Sequence, residues 1–305
     1  VNEFQLNKGT IKMAINPKQS IVTVQNGRIE KWDLLMEDDN NYISSQGDGE
    51  FSKELKIINS IKLDSRFLEI LSENFKNSSG NIKGDVTILG EKSNYSAHVV
   101  SFGEDIRLKF ANIPGVFDKI NYQAILENNV LLIQGFNCEY GKGKVSGDGS
   151  VTFKLPFPKV DFSFNIDQSQ VEFLKKSSVI LSGQGKLEGK SFPYILNGDL
   201  SLLHGEIFDE LTSFSGTKKL VEGKNSYLPT KNLINKIEYV QFNLGVDIFR
   251  PIVFRNNFAD LTIGGKTSIR GTVGNPLLNG SFHVVPDISK ISFKGHDFHL
   301  SEGRI

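Results

Sequence analysis

Hydrophobic and polar residues alternate with a period of two along many short stretches of the chain, which is the pattern of half-buried β-strands. The clearest run puts these five apolar side chains on one face: Val240, Phe242, Leu244, Val246 and Ile248. A second run of this kind lies between Asp161 and Asp167, with Phe162, Phe164 and Ile166 on one face and Ser163 and Asn165 on the other. We predict that the apolar faces of the two runs share one wall, against an apolar interior.

Other alternating runs are spread over the whole chain, as antiparallel meanders require. The run 151–157 predicts a strand with Val151, Phe153 and Leu155 on its apolar face, which a turn at 157–159 would pair with the next strand as a hairpin. Pro156 has no N–H group, so this strand would lie at a sheet edge or be irregular. Near the end of the chain, weaker runs include Ile291 with Phe293, and Phe298 with Leu300.

Helical patterns are few and short. Residues 66–76 are the best candidate, because Asp64 or Ser65 could cap a helix with its apolar residues on one face. Two shorter candidates are residues 170–176 and 206–214. The stretch 215–235, which is rich in Lys, Asn and Ser, predicts a long exposed loop that is poorly ordered.

Composition supports β-structure and removes several function classes. The chain has 23 Phe and 29 Gly but 2 Met and 1 Trp, a combination typical of pleated strands and tight turns. The 35 basic and 35 acidic residues give no net charge, so nucleic-acid binding has no electrostatic support. No apolar run approaches the roughly 20 residues of a membrane helix. The chain starts at Val1 and stops at Ile305 inside a strand-like pattern, so we expect a fragment of a longer protein.

Candidate chemical motifs are weak. His296 and His299 are three residues apart, so on a strand they point to opposite faces and could not converge on a metal. The glycine-rich run 141–149 matches neither dinucleotide-binding nor phosphate-loop spacing, and it predicts a hairpin. No nucleophile motif or acid–base pair is apparent. We therefore predict neither an enzyme nor a cofactor or metal site.

Glycines recur at a spacing of six residues around short alternating runs. The pairs are 84 and 90, 143 and 149, 183 and 189, and 265 and 271, and in the last two a further Gly follows nine residues on. A repeated strand unit that cannot close a core alone would extend an array. We expect these repeat glycines to mark strand ends, bulges or turns: Gly84, Gly183, Gly189, Gly265 and Gly271. Gly90 and Gly280 are counted with them as structural glycines.

The segment 244–305 resembles the conserved domain of the TamB family. Its pattern is an amphipathic strand, a short strand ending in Gly-Thr, a Pro-x-x-x-Gly step and a closing set of strands. The stretch 67–90 also resembles the short helix and glycine-hinged strands of the wider AsmA-like group. The matching residues are Gly265, Gly271, Thr272, Pro276, Gly280, Ile291, Phe293, Phe298, Gly303 and Ile305.

The resemblance implies an all-β fold: an elongated, repetitive antiparallel sheet folded into a U-shaped groove (a β-taco) with an apolar interior and a few short helices. One such unit would span 1–305, with sub-units near 1–140, 141–214 and 236–305. The expected groove lining comprises Val151, Phe153, Leu155, Phe162, Phe164, Ile166, Val240, Phe242, Leu244, Val246, Ile248, Ile291, Phe293 and Phe298.

The resemblance also implies a function. Family members are anchored in the inner membrane, cross the periplasm of the Gram-negative envelope and meet TamA, an outer-membrane barrel protein. The implied ligand is phospholipid, carried between the membranes in support of outer-membrane biogenesis, with the membrane anchor in a segment missing from this chain. Two alternatives stay open: a scaffold for the assembly or secretion of barrel proteins and autotransporters, and a β-sandwich adhesin array whose apolar faces cover each other.

Overall fold

The chain is almost entirely β-structure in a computed structural model. This structure describes residues 5–8, 11–26, 28–50, 53–72, 74–91, 94–111, 114–174, 177–208, 238–272, 275–293 and 295–303. The described residues form 19 strands and one short helix, so the predicted all-β fold is confirmed. The chain divides into two compact units, of which unit 1 comprises residues 1–139 and 147–155, and unit 2 comprises 140–146 and 156–305. The predicted sub-units 141–214 and 236–305 thus fall mostly in one unit.

Unit 1 is an antiparallel meander in which each strand from β4 to β8 pairs with the next. β2 and β3 both pair with β4, and β1 pairs with β2. Buried Met13 and Leu63 form a small apolar cluster. The elements are β1 (Gln5–Lys8), β2 (Ile11–Ile15), β3 (Ile21–Gln25), β4 (Arg28–Glu37), β5 (Tyr42–Gly49), β6 (Glu54–Asp64), α1 (Phe67–Leu71), β7 (Phe75–Glu91), β8 (Asn94–Phe110), β9 (Phe117–Glu127) and β10 (Val130–Tyr140).

The helix predicted at 66–76 exists but is shorter. α1 ends at Leu71, because Ser72 is already extended with φ −153° and ψ 134°. Phe75 begins β7, where its ring packs edge-on against Phe110 at a centroid distance of 5.5 Å. The N-cap residue, Arg66, makes no side-chain capping bond, but Asp64, one of the two predicted caps, accepts a hydrogen bond from the Arg66 N–H at 2.9 Å. The Ser65 main-chain oxygen accepts a hydrogen bond from the Leu68 N–H.

Unit 2 contains two antiparallel sets of strands, β12–β13–β14 and β15–β16–β17, and β14 pairs with β15 in parallel. The parallel pair departs from the predicted meander. It requires a long connection, which residues 209–239 supply. β18 joins the far end of β16 and pairs with β19. The strands are β12 (Lys159–Leu174), β13 (Ser177–Gly189), β14 (Tyr194–Phe208), β15 (Val240–Arg255), β16 (Ala259–Thr272), β17 (Asn275–Val284), β18 (Lys290–Phe293) and β19 (His296–His299), while β11 (Gly143–Thr152) has residues in both units.

Three local predictions fail or cannot be compared. The strand predicted over 151–157 ends at Thr152, and the prolines at 156 and 158 could not donate to a ladder beyond it. The helix predicted at 170–176 is wrong as far as Leu174, since β12 pairs with β13 up to that residue. Residues 206–208 belong to β14, and the remainder of that third helix and the predicted loop 215–235 lie outside the described residues.

Candidate functional site: an apolar sheet face

One face of the β12–β17 sheet collects apolar residues from all six strands. Residues directly opposite each other on paired strands point to the same face. Rows can therefore be followed from strand to strand, and both alternating runs predicted to share a wall lie on this face. We call this surface the apolar face. It consists of three central rows and the rows that flank them. The central rows are Phe162–Leu187–Leu196–Phe242–Gly271–Pro276, Phe164–Gly185–Gly198–Leu244–Ile269–Leu278, and Ile166–Gly183–Leu200–Val246–Thr267–Gly280.

The apolar face is most deeply buried along β15. Leu244, Val246 and Ile248 are each 8% exposed or less, whereas Gln241 and Asn243, on the opposite face of the same strand, are exposed. Phe162, Phe164 and Ile166 on β12 and Phe242 on β15 are half-buried. The three rows contain no charged side chain, and Thr267 supplies their one hydroxyl group. The face therefore offers an apolar surface that is partly open to a ligand.

Glycines on the apolar face are covered by large side chains of the neighbouring strand. The ring of Phe164 lies where a Cβ on Gly185 would stand. Leu244 covers Gly198, with its Cδ2 3.3 Å from the corresponding position, and Leu200 covers Gly183 at 2.9 Å. Each glycine thus makes room for a neighbour to lie flat across the sheet, which evens out the apolar surface.

The opposite face of the same strands, the polar face, carries paired charges and amides. Lys186 contacts Asp161 at 3.2 Å and Glu188 at 2.9 Å, and its hydrogen bonds to Glu188 and Asp161 raise the pKa of Lys186. The Asn243 amide donates to Asn197 Oδ1 across the β14–β15 pair at 2.7 Å. These groups are solvent-accessible and of mixed charge, so the polar face has the character of an ordinary solvated surface.

An aromatic cluster lies where the apolar face ends near the start of β14. The ring of Phe192 packs against those of Phe157, Tyr194 and Tyr239 at centroid distances of 4.9–5.2 Å. Tyr194 is buried, and its hydroxyl donates to the main-chain oxygen of Pro158 at 2.7 Å. Phe157 therefore packs in a loop cluster and does not belong to a strand, unlike the prediction.

The repeat glycines occupy several kinds of position. Gly265 has φ +142° where three residues of β15, 249–251, lie opposite a single residue of β16, and Gly271 has φ +85° near the end of β16. Gly183 lies opposite Ile166, where the β12 register shifts, and Gly189 ends β13. The prediction is wrong for Gly84, which sits within β7 without positive φ. Gly280 also sits within β17 without positive φ, and the main chain of Lys266 lies where its Cβ would stand. Gly90 is the penultimate residue of β7, beneath the ring of Tyr95.

Six candidate lining residues are not part of strands β12–β17. Phe153 and Leu155 follow the end of β11 and are exposed, Leu155 to 99%, so their predicted strand positions are wrong; Val151 is half-buried within β11. Ile291 and Phe298 are opposite each other on β18 and β19, and both are exposed. Phe293 pairs with His296 on the same hairpin.

Sequence reasoning missed much of the apolar face. The predicted lining did not include five residues that contribute to the rows: Leu187, Leu196, Leu200, Ile269 and Leu278. In β13, β14 and β16 the alternation is broken by glycines that occupy apolar positions. Treating glycine as an apolar-face residue at even spacing would have recovered these strands.

The sheet of unit 1 has a more mixed face. Its row Leu34–Ser45–Asn59–Val86–Val99 places two polar residues among apolar ones. Ser45 accepts a hydrogen bond from the Trp32 indole at 3.0 Å, and the Asn59 amide donates to the Val86 main-chain oxygen at 3.2 Å. The adjacent row of the same face, Trp32–Gly47–Ile57–Ile88–Ala97, is apolar throughout, so apolar rows occur in both units.

Chemically reactive groups are scattered. His296 and His299 stand at the two ends of β19, and within the described ranges no cluster of His, Cys, Asp and Glu could hold a metal ion. Cys138 on β10 is 3% exposed, and burial raises the pKa of its thiol to about 11. The helical part of the described chain contains no segment with the length and hydrophobicity of a membrane span.

Comparison with known proteins agrees with this fold. Residues 134–305, more than half of the chain and all of β12–β19, match the family model of the TamB C-terminal domain. No curated protein and no solved structure matches the chain. TamB proteins are non-enzymatic components of the Gram-negative envelope that span the periplasm and work with TamA-type partners. The chain belongs to the TamB family.

Proposed function

We propose that the apolar face of β12–β17 holds the acyl chains of phospholipid, as part of a non-enzymatic bridge that carries lipid across the periplasm between the inner and outer membranes. The observation that carries this proposal is the uncharged apolar surface, continuous over six strands. Transport of this kind would support outer-membrane biogenesis. The full-length protein would be anchored in the inner membrane through a segment outside this chain.

Acyl chains suit such a surface because their binding requires apolar area and few directional contacts. Transfer of a CH₂ group from water to an apolar site stabilises binding by about 0.8 kcal/mol. The half-buried Phe162, Phe164 and Phe242 leave part of their rings free to make such contacts. The flat packing of side chains over Gly185 and Gly198 would let an acyl chain lie across several strands.

The test is a charge on the apolar face. Phe242→Arg adds a cation opposite Leu196 and Gly271, and Gln241→Arg adds the same group to the polar face one residue away. We expect Phe242→Arg to stay folded and lose co-purified phospholipid, because an open surface lets water reach the guanidinium. Gln241→Arg should stay folded and keep the lipid.

Thermal melting and mass spectrometry of bound lipid measure the two properties. If the wild type never holds lipid and Phe242→Arg unfolds, the face is the closed core of a sandwich, where an unpaired buried charge costs several kcal/mol. That result would favour the adhesin-array alternative over the lipid groove.

A second candidate function, a scaffold for barrel-protein assembly with a TamA-type outer-membrane partner, is favoured by membership of the TamB family. Phe242→Arg also separates this candidate from the first. A variant that loses lipid but still binds the barrel partner and supports barrel assembly would assign the apolar face to lipid alone. Loss of partner binding together with lipid would tie both functions to this face.

A further inference from the structure

Ser45 on β5 and Asn59 on β6 form a polar pair on the mixed face of unit 1, and we infer that this polar pair binds the ester carbonyl of an acyl lipid. The two residues lie directly opposite each other in the β5–β6 ladder, so their side chains point to the same face. The inference rests on the proposed lipid-binding function and deepens it, because it assigns two residues that distinguish an acyl ester from plain hydrocarbon.

Apolar residues surround the polar pair. Leu34 and Val86 stand on either side of it within its own row. None of the three rows at this place, all of which lie in described strands, contains a charged side chain. A ligand that suits this surface therefore combines a neutral polar group with an apolar chain. The two rows that border the row of the polar pair are Trp32–Gly47–Ile57–Ile88–Ala97 and Met36–Ile43–Ile61–Gly84–Ser101.

The Ser45 hydroxyl has a hydrogen to donate. Its oxygen accepts a hydrogen bond from the Trp32 indole N–H at 3.0 Å. An indole nitrogen can only donate, so this contact leaves the hydroxyl hydrogen of Ser45 for another partner. Within the described chain the Ser45 hydroxyl has no acceptor for that hydrogen. Because Ser45 is half-buried, a ligand on the mixed face could supply the acceptor.

The Asn59 amide also has hydrogen-bonding capacity to spare. One of its two N–H groups donates to the Val86 main-chain oxygen at 3.2 Å, which leaves the second N–H. Its Oδ1 makes no hydrogen bond in the described part of the chain and is open to solvent. Ser101 and Tyr122 on the same face differ, because their hydroxyls bond to each other at 3.4 Å. The polar pair is thus where this face offers two unused donors side by side.

An ester carbonyl is the lipid group that matches the polar pair. A carbonyl oxygen has two lone pairs, so it can accept from the Ser45 hydroxyl and the Asn59 amide together. A phosphate or carboxylate would need a cation, since an unpaired ion on an apolar surface is costly, and these rows supply none. The ester also lies where the acyl chain begins, so the chain can cover the neighbouring apolar rows while the headgroup stays in water.

The matched probes are two short-chain phosphatidylcholines, one with ester-linked and one with ether-linked chains. They share headgroup and chain length, but the ether lipid lacks the carbonyl oxygen. The complete chain should bind the ester lipid roughly three- to tenfold more tightly, as expected for one neutral hydrogen bond. Isothermal titration calorimetry gives both dissociation constants and their ratio.

Substitutions should change this ratio only at the polar pair. Ser45→Ala and Asn59→Leu should bring the ratio close to one. Ser101→Ala removes a paired hydroxyl from the same face, and Ser44→Ala alters the opposite face one residue away, so both should keep the wild-type ratio. Because the two lipids are compared on the same variant, a general loss of stability or affinity cancels from the ratio.

Trp32 reports occupancy of the site directly. It is the one tryptophan of the chain, and its indole is bonded to Ser45. An ester lipid brominated on the first carbons of its acyl chain should therefore quench tryptophan fluorescence, because bromine quenches only at short range. Bound brominated lipid that leaves the fluorescence unchanged would place the ester elsewhere and reject the site.

The outcomes separate this inference from the proposed function. Equal affinity of the wild type for the ester and ether lipids would overturn the role of the polar pair and leave acyl-chain binding standing. An ester preference that persists in both Ser45→Ala and Asn59→Leu would also reject the site. Binding of neither lipid would overturn the proposed function and this inference together.

Discussion

Gly265 is the position where a single methyl group should do the most damage to the β15–β17 strands. Its φ of +142° lies in a region that other residues adopt at a cost on the order of 1–3 kcal/mol. A Cβ there would also overlap the Ser281 main-chain oxygen on β17, so the two strands would have to separate locally. A weakened strand hydrogen bond adds about 1 kcal/mol. We therefore expect Gly265→Ala to lower the free energy of unfolding by about 2–4 kcal/mol.

Gly135→Ala is the matched control, because Gly135 has φ +60° but no atom within 4 Å of the added Cβ. It should cost roughly 1–2 kcal/mol from conformation alone. Urea unfolding monitored by circular dichroism gives both free energies, and hydrogen exchange localises the loss. Gly265→Ala should speed exchange in β16 and β17 selectively. Equal costs for the two variants, with exchange in β16 and β17 unchanged, would refute the argument from close strand approach.

Two further predictions concern unit 1. Asn41 is buried, and its side chain accepts a hydrogen bond from the Asp64 N–H at 2.6 Å and donates one to the Asp38 carboxylate at 2.8 Å. Asn41→Ala should therefore lower the free energy of unfolding in urea by about 1–3 kcal/mol. Asp39 is exposed, so Asp39→Ala should leave this free energy almost unchanged. The Cys138 thiol, with its pKa raised to about 11 by burial, should resist thiol reagents at pH 8 until urea unfolds the chain; rapid labelling of the folded protein would contradict this burial.

The alternation of residues 240–248 was sufficient to predict β15 and its two faces. Side chains of period two leave few options when one face must be apolar, and Leu244, Val246 and Ile248 are indeed buried. The run 151–157 has the same period but ends at Thr152. The missing N–H of Pro156 was expected only to place this strand at an edge or to make it irregular, whereas the segment that contains the two prolines is not a strand.

Residues 170–174 show a different limit of sequence reasoning. Their pattern fits a short helix, but Val171 lies opposite Val179 in the β12–β13 ladder. Local propensity is weak in so short a segment, and pairing with a neighbouring strand decides its structure. The complete rows of the apolar face were also beyond prediction, because the register that joins β14 to β15 is set by a contact between strands distant in sequence.

The parallel pair has a consequence for how unit 2 assembles. Within β12–β14 and within β15–β17 each strand is followed closely in sequence by its partner, so these ladders form after closing short loops. Asn197 and Asn243, which meet across the parallel pair, are 46 residues apart. Closing the longer loop costs more chain entropy before any contact compensates for it, so docking of the two preformed strand sets should be the late step of folding. Until that step, the apolar side chains of β14 and β15 lack each other as neighbours, and this interval is when the chain is most exposed to aggregation.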